Sequence, residues 1–306
     1  VRIATRGSAL ARWQADHIGA ALRSLDPSIG VELVVVETSG DRNLDVPIWE
    51  MGGKGVFVKE VQAAVLAGRA DVAVHSAKDL PAATHDDLVI AAVPPRADAR
   101  DALVGSTLDD LAPGAVVATG SVRRRAQLAW VRPDLTFAGL RGNIDTRLRR
   151  AGEYGAIVMA AAALDRLGLT ERATQVLPPS VMLPQVGQGA LAVECRAADE
   201  GTRQMLGRID DERSRATLEA ERGFLVELGG DCDLPAAAHA TWSDAVDQVT
   251  LEGLLASADG HVVLRRAATY VSSGDRASDA TGFAQLGASV ARRLLDDDGG
   301  AALLDR

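Results

Sequence analysis

The chain has 306 residues, 47% of them hydrophobic and 25% charged, with a net charge of −9 at pH 7, which is the make-up of a globular protein of two or three domains and excludes a disordered one. That acidic balance and 3% aromatic residues argue against a general nucleic-acid or membrane-surface binder, which needs a basic face and, for single strands, stacking rings. Any anion site must be local.

Residues 1–5 read as a strand that runs into Arg6-Gly7-Ser8 and a helical pattern over 9–25. Glycine allows the turn, Ser8 is a good N-cap, and the first helical N–H groups are left unpaired, so with Arg6 beside it the junction suits an anion. A second strand over 31–38 leads to a loop whose Gly52-Gly53-Lys54-Gly55 carries a cation but lacks the spacing and the Ser/Thr of a P-loop. A helix over 56–68 then delivers the chain to Val74-His75-Ser76-Ala77-Lys78-Asp79-Leu80-Pro81, where an apolar strand over 69–74 ends and Pro81 stops regular structure. His75, Ser76, Lys78 and Asp79 therefore sit at the carboxyl end of a strand, the edge where open α/β sheets bind ligands. Lys78 and Asp79 there offer a cation beside a general acid or base. Taken alone, these eight residues read equally well as a solvated loop with a salt bridge. Lysine usage weighs against that: the chain has three lysines, Lys54, Lys59 and Lys78, all in this span, against thirty arginines.

A second α/β unit begins after Pro94-Pro95. The strand over 115–119 runs into Gly120-Ser121 and a helix opening Val122-Arg123-Arg124-Arg125, and a later strand over 154–160 feeds a helix over 161–167. Both features repeat the first unit, so the chain carries a weak internal duplication of an α/β lobe. Two such lobes suit a cleft binder with helix starts facing a ligand. Arg123, Arg124, Arg141 and Arg147 cluster at strand-to-helix junctions, and guanidinium forks there read as a site for a polycarboxylate. Arg149 and Arg150 read as a solvated helix face. Pro184 to Gly189 breaks the pattern and reads as a crossing back between lobes before an apolar strand over 190–194.

The third unit opens at Asp210-Asp211 with an amphipathic helix over 212–228, closed by Gly229-Gly230. Three strands follow, with Ala258-Asp259-Gly260 as a hairpin turn, and then a final helix over 283–295. Of the two cysteines, Cys195 ends an apolar strand and reads as a small buried hydrophobe. Cys232 follows a helix C-terminus between Asp231 and Asp233, which disfavours a thiolate. Its loop is too polar for a buried structural thiol, so a stable covalent attachment point fits it best. The two form neither a disulfide framework nor a CxxC site, no metal is expected, and the absence of a signal core or membrane-length run points to the cytoplasm.

Taken together, IATRGSALARWQA, GGKGVFVKE, VHSAKDLP, GSVRRRAQL, LRGNIDTRL, PQVGQGALAVECR and GGDCDLP resemble the porphobilinogen deaminase family almost end to end. The resemblance implies an α/β fold with two periplasmic-binding-protein-like lobes around a cleft, and a small α+β C-terminal domain. The expected division is 1–95 with 188–209, 96–187, and 210–306. It implies a transferase that deaminates four porphobilinogen molecules and joins them head to tail, on a covalent dipyrromethane primer, into the linear tetrapyrrole hydroxymethylbilane. It implies further that Cys232 holds the cofactor as a thioether, with Lys78, Ser8, Thr119, Arg123, Arg124, Arg141 and Gly142 around it. Asp79 would be the catalytic carboxylate, and Arg6, Lys54, Arg147, Arg166 and Gln188 would bind substrate. Asp231 stands where the family usually has Gly, and Glu50 where a Lys is common. Partners are expected to be porphobilinogen alone, with no nucleic acid or membrane, and the chain a monomer. The rival reading is a two-lobed polycarboxylate binder without catalysis.

Overall fold

The computed structural model describes residues 1–38, 58–229 and 234–304. In chain order its elements are β1 (Arg2–Arg6), α1 (Ala9–Leu25), β2 (Glu32–Val36), α2 (Lys59–Leu66), β3 (Val72–Ser76), β4 (Leu88–Ala92), β5 (Asp101–Val104), β6 (Val116–Ala118), α3 (Val122–Val131) and β7 (Thr136–Ala138). There follow α4 (Ile144–Arg149), β8 (Ala156–Ala160), α5 (Ala161–Arg166), β9 (Gln175–Val176), β10 (Leu191–Arg196), α6 (Glu200–Gly207), α7 (Glu212–Glu227), β11 (Ala236–Ser243), β12 (Gln248–Ala256), β13 (Val263–Val271) and α8 (Arg276–Asp296). They form two compact units, Val1–Ala97 with Gly189–Arg215, and Asp98–Gln188 with Ala216–Arg306.

Unit 1 holds a sheet in the order β2-β1-β3-β10-β4, with β1 parallel to β2 and β3, and β10 antiparallel to β3 and β4. Unit 2 holds a sheet in the order β7-β6-β8-β5-β9, with β6 parallel to β7 and β8, and β5 antiparallel to β8 and β9. Position for position these are the same sheet. In each, the antiparallel fourth strand, β10 or β5, is entered just after the chain passes from the other unit. The duplication visible as two strand-Gly-Ser-helix runs thus extends to the whole strand order.

Period-two alternation explains the layers. Along β1 and β3, Ile3, Val72 and Val74 pack with Ala15, Ile18 and Leu22 of α1, while Ala4 and Ala73 pack with Val61, Ala64 and Val65 of α2. Strands covered on both faces read as continuous apolar runs, and β3, β8 and β10 are buried along nearly their whole length.

Unit 2 also contains the small α+β C-terminal domain, an antiparallel sheet β11-β12-β13 whose core joins Phe224 of α7, Val249, Leu251 and Leu255 of β12, and Val290 and Leu294 of α8. Helices α7 and α8 touch backbone to backbone at Gly223 and Gly287, where a Cβ would overlap Ala284 O and Ala220 O respectively. Helix α8 begins seven residues before its expected start, because Asp275 caps it by accepting from Ser278 N at 3.0 Å. Helix α6 was not anticipated: it is short and charged, and its start signal is Asp199 accepting from Thr202 N at 3.0 Å. Among the described residues, no helix is long and apolar enough to cross a membrane.

Candidate active site

In unit 1 the parallel strands β1 and β3 end on one edge of the sheet. There Ser8 caps α1, its Oγ accepting from Ala11 N at 3.3 Å, with no acidic residue in the first helical turn. Arg6 is the last residue of β1. The next strand over, β3, ends at Ser76 and passes into a single tight turn, Ala77–Asp79, before Leu80 returns to extended backbone. That turn is pinned from below, since Ala77 N donates to Ala190 O at 3.0 Å and Ala77 and Leu80 are buried. Lys78 and Asp79 are left half-buried on the edge.

Under the turn lies a polar group inside the core. Glu194 of β10 is fully buried and accepts from Gln62 Nε2 at 2.9 and 3.2 Å. His75 Nε2 lies 3.1 Å from Glu194 Oε2, in ion-pair range but without hydrogen-bond alignment. An acid in the middle of an apolar strand, Leu191-Ala192-Val193-Glu194-Cys195, was the signal for it.

The corresponding edge of unit 2 gathers four junctions. Strands β6, β7 and β8 are parallel, so the residues following them, Thr119 to Arg124, Arg141 to Arg147, and Ala161 to Arg166, lie at one edge. Strand β5 is antiparallel, so its first residue, Asp101, falls at that same edge opposite Ala160. Thr119 is bonded through N to Ala138 O at 2.9 Å, and its Oγ1 accepts from Ser121 N at 3.1 Å. Gly142 has φ +111, and a Cβ there would lie 2.9 Å from Thr146 Cγ2; its carbonyl accepts from Arg147 Nε at 2.7 Å. Asn143 caps α4 by accepting from Thr146 N at 2.9 Å. Arg166 is 8% exposed, and burial pushes its pKa down to about 10 against the opposing pull of Asp165.

At the centre is a buried Arg–Asp–Arg cluster. Arg123 and Arg124 open α3 at 3% and 7% exposure, and Asp101 is fully buried. Asp101 Oδ2 accepts from Arg123 Nη2 at 2.8 Å, and Oδ1 accepts from Arg124 Nη2 at 2.7 Å, Arg124 Nε at 3.1 Å and Gln188 Nε2 at 2.9 Å. Burial opposes the charge on Asp101, but Arg123 and Arg124 outweigh it and hold the carboxyl well below the usual carboxylate range. Arg123 Nη1 reaches Leu183 O at 2.6 Å, Arg124 Nη1 reaches Val158 O at 3.1 Å, and Arg123 Nε has no acceptor.

The structure therefore gathers Arg6, Ser8, Lys78 and Asp79 in unit 1 and Thr119, Arg123, Arg124, Arg141, Gly142, Arg147, Arg166 and Gln188 in unit 2. Lys54 and Cys232 lie outside the described residues. Gln188 is fully buried, donating to Ala99 O at 2.7 Å as well as to Asp101. Asp101 was missed by sequence reasoning; its signal was a lone acid opening the apolar strand Asp101-Ala102-Leu103-Val104. Cys195 is buried in β10, where burial pushes its thiol up to about 11. A cavity of about 770 Å³ in unit 2, lined by Arg125, Phe137, Asp259 and His261 among others, includes none of the gathered residues. Among the described residues, no cluster of His, Cys, Asp and Glu could hold a metal ion.

Two family models match the chain: "Porphobilinogen deaminase, dipyromethane cofactor binding domain" over residues 1–204, and "Porphobilinogen deaminase, C-terminal domain" over residues 216–296. The porphobilinogen deaminase of Nitratidesulfovibrio vulgaris is 44% identical over 99% of this chain and 96% of that relative. That of Roseiflexus castenholzii is 46% identical over 99% of this chain and 97% of that relative. Among solved structures, the periplasmic aliphatic sulphonate binding protein of Escherichia coli is similar at TM-score 0.38 and 17% identity, over 75% of this chain and 70% of that one. With both family models matched in order and relatives aligned over nearly its whole length, the chain belongs to the porphobilinogen deaminase family.

Proposed function

We propose that this chain deaminates four porphobilinogen molecules and joins them head to tail into hydroxymethylbilane, on a covalently held dipyrromethane. The observation that carries this reading is the buried cluster at the edge of unit 2. Two guanidinium groups share one carboxylate, and one buried guanidinium N–H has no acceptor. Such a cluster fits a group bearing carboxylates, as every pyrrole of this substrate and cofactor does.

In this reading Arg123, Arg124, Arg141, Lys78, Ser8, Thr119 and Gly142 hold the cofactor, and Cys232 carries it as a thioether. When bound, the dipyrromethane supplies the acceptor pyrrole on which the chain grows. Arg6, Lys54, Arg147, Arg166 and Gln188 bind and orient carboxylates of incoming substrate. Asp79 sits beside Lys78 on a turn whose backbone is fixed by Ala77 and Leu80. Its carboxylate would stabilise the positive charge that develops as ammonia leaves the aminomethyl carbon, and take the proton that the attacking pyrrole carbon loses after the new carbon–carbon bond forms, the loss that restores the ring's aromaticity. The protein acts as a cytoplasmic monomer of three domains, 1–95 with 188–209, 96–187 and 210–306.

Incubation of the purified chain with porphobilinogen tests this. Stoichiometric ammonia release with a linear tetrapyrrole, and an intact mass above the sequence mass by two linked pyrroles, are expected. Ligand uptake without ammonia release would establish the non-catalytic polycarboxylate binder instead.

A further inference from the structure

The Arg123–Arg124–Asp101 cluster is held in place by two buried amides. Besides Gln188, Gln127 lies one helical turn after Arg123 on the same face of α3 and is 2% exposed. Its two ends grip the backbone of one residue of the returning chain: Nε2 donates to Leu183 O at 3.1 Å and Oε1 accepts from Leu183 N at 2.7 Å. Leu183 O is the same oxygen that Arg123 Nη1 reaches at 2.6 Å. The Gln127 amide and the Arg123 guanidinium are thus neighbours inside the core.

We propose that Gln127 is a positioning residue that keeps this cluster at one net positive charge, leaving it able to take a single carboxylate of the pyrrolic ligand. Arg123 and Arg124 contribute two positive charges, Asp101 one negative, and Gln127 and Gln188 none. The charges acting most on Asp101 are those two arginines, and those acting on Arg123 are Asp101 and Arg124. The unpaired Arg123 Nε marks where an acceptor is still owed. A carboxylate at position 127 would have the same shape and could still accept from Leu183 N. Lying beside Arg123, it would supply a second internal counter-charge and close the site to an external one. Amide rather than acid is therefore the chemistry that leaves the cluster its one positive charge. This rests on the cofactor reading given above.

The test compares four proteins with wild type, by intact mass for cofactor occupancy and by melting midpoint: Gln127→Glu, Gln127→Met, Asp101→Asn, and the double variant Asp101→Asn/Gln127→Glu. Gln127→Met loses both bonds to Leu183 but keeps the charge, so it should melt lower and still carry the pyrrole adduct. Gln127→Glu should lose occupancy about tenfold or more. The double variant moves the carboxylate from 101 to 127 and restores one net charge, so its occupancy should exceed that of either single variant. A purely structural role would make the two changes add rather than compensate. Equal loading of Gln127→Glu and wild type, or a double variant no better loaded than Asp101→Asn, overturns the proposal. If Gln127→Glu does not fold, the double variant against Asp101→Asn alone decides it. A wild-type chain at its bare sequence mass would sink the cofactor reading instead. The charge proposal would then be judged by succinate: a raised melting midpoint in wild type and not in Gln127→Glu supports it, and equal shifts refute it.

Discussion

Replacing Asp101 by Asn should weaken unit 2 more than any other single polar change at the candidate site. The side chain keeps its shape but trades one acceptor oxygen for a donor that faces guanidinium N–H groups, and the cluster goes from one net positive charge to two in a fully buried place. Removing one partner of a buried ion pair costs about 3–5 kcal/mol, since the charge left behind is neither paired nor hydrated. For a unit of this size a loss of 1 kcal/mol lowers the melting midpoint by about 2–4 °C, so the expected drop is about 6–20 °C. Differential scanning calorimetry across pH reads it. The folded-state pKa of Asp101 is depressed, so its stabilisation is present above the unfolded value of about 4 and is lost as pH falls toward the folded one. The gap between wild type and variant should therefore be widest near neutrality and close in acid below about pH 4. A drop below about 2 °C at neutral pH, or a gap that stays open in acid, would refute the charge reasoning.

Asp79→Asn should lower turnover about a hundredfold or more with little change in melting, because the turn is held by Ala77 and Leu80 and not by the carboxylate; steady-state rates within about threefold of wild type would remove Asp79 from its assigned role. Peptide mapping of active protein should place the pyrrole adduct on Cys232, whereas Cys195, buried and pushed up to about 11, should resist alkylation at neutral pH until the protein unfolds. Rapid labelling of Cys195 in the native protein would contradict its packing. Gly260→Ala should destabilise unit 2 by about 1–3 kcal/mol in urea titrations, since Gly260 has φ +77 and a Cβ there would overlap Ala126 O and lie 2.7 Å from Ala129 Cβ. An unchanged unfolding midpoint would show that the hairpin tip yields freely.

What could be read in the sequence followed from local rules. Ser8 caps α1 as a short polar residue before a helical run does, and Ser121 at the repeated Gly-Ser junction does the same for α3, each accepting from the backbone N–H expected of a cap. The ends of β1, β3 and β6 were legible because apolar runs stop there at Gly, Ser or Lys. The partners of Asp101, Gln127 and Glu194 were not legible. Each of these three is a polar residue in an apolar context whose partner lies far along the chain: Asp101 with Arg123 and Gln188, Gln127 with Leu183, and Glu194 with Gln62. Pairings of that span are set by which strands become neighbours, and no periodicity of 2 or 3.6 records it. The same holds for Arg123 and Arg124, whose bonds to Asp101, Leu183 and Val158 no local pattern in the sequence announces.

The two matched sheets differ at one point. Both have the same strand order, and in both the fourth strand enters antiparallel just after the chain passes from the other unit. What differs is the residue with which that strand enters the edge. In unit 2 it enters with Asp101, which locks two arginines and leaves one positive charge over. In unit 1 it enters with Leu191, which stands opposite Ser76 as Asp101 stands opposite Ala160, while the residue before it, Ala190, takes Ala77 N just as Arg100 takes Ala161 N in unit 2. The backbone contact is common to both lobes, so what sets unit 2 apart at this point is the acid, which is buried there with Arg123 and Arg124. Asp101→Leu should thus undo the Arg123–Arg124 cluster of unit 2 while both main-chain contacts, Ala77 N to Ala190 O and Ala161 N to Arg100 O, stay in place, a division that a shared structural role for these strands would not produce.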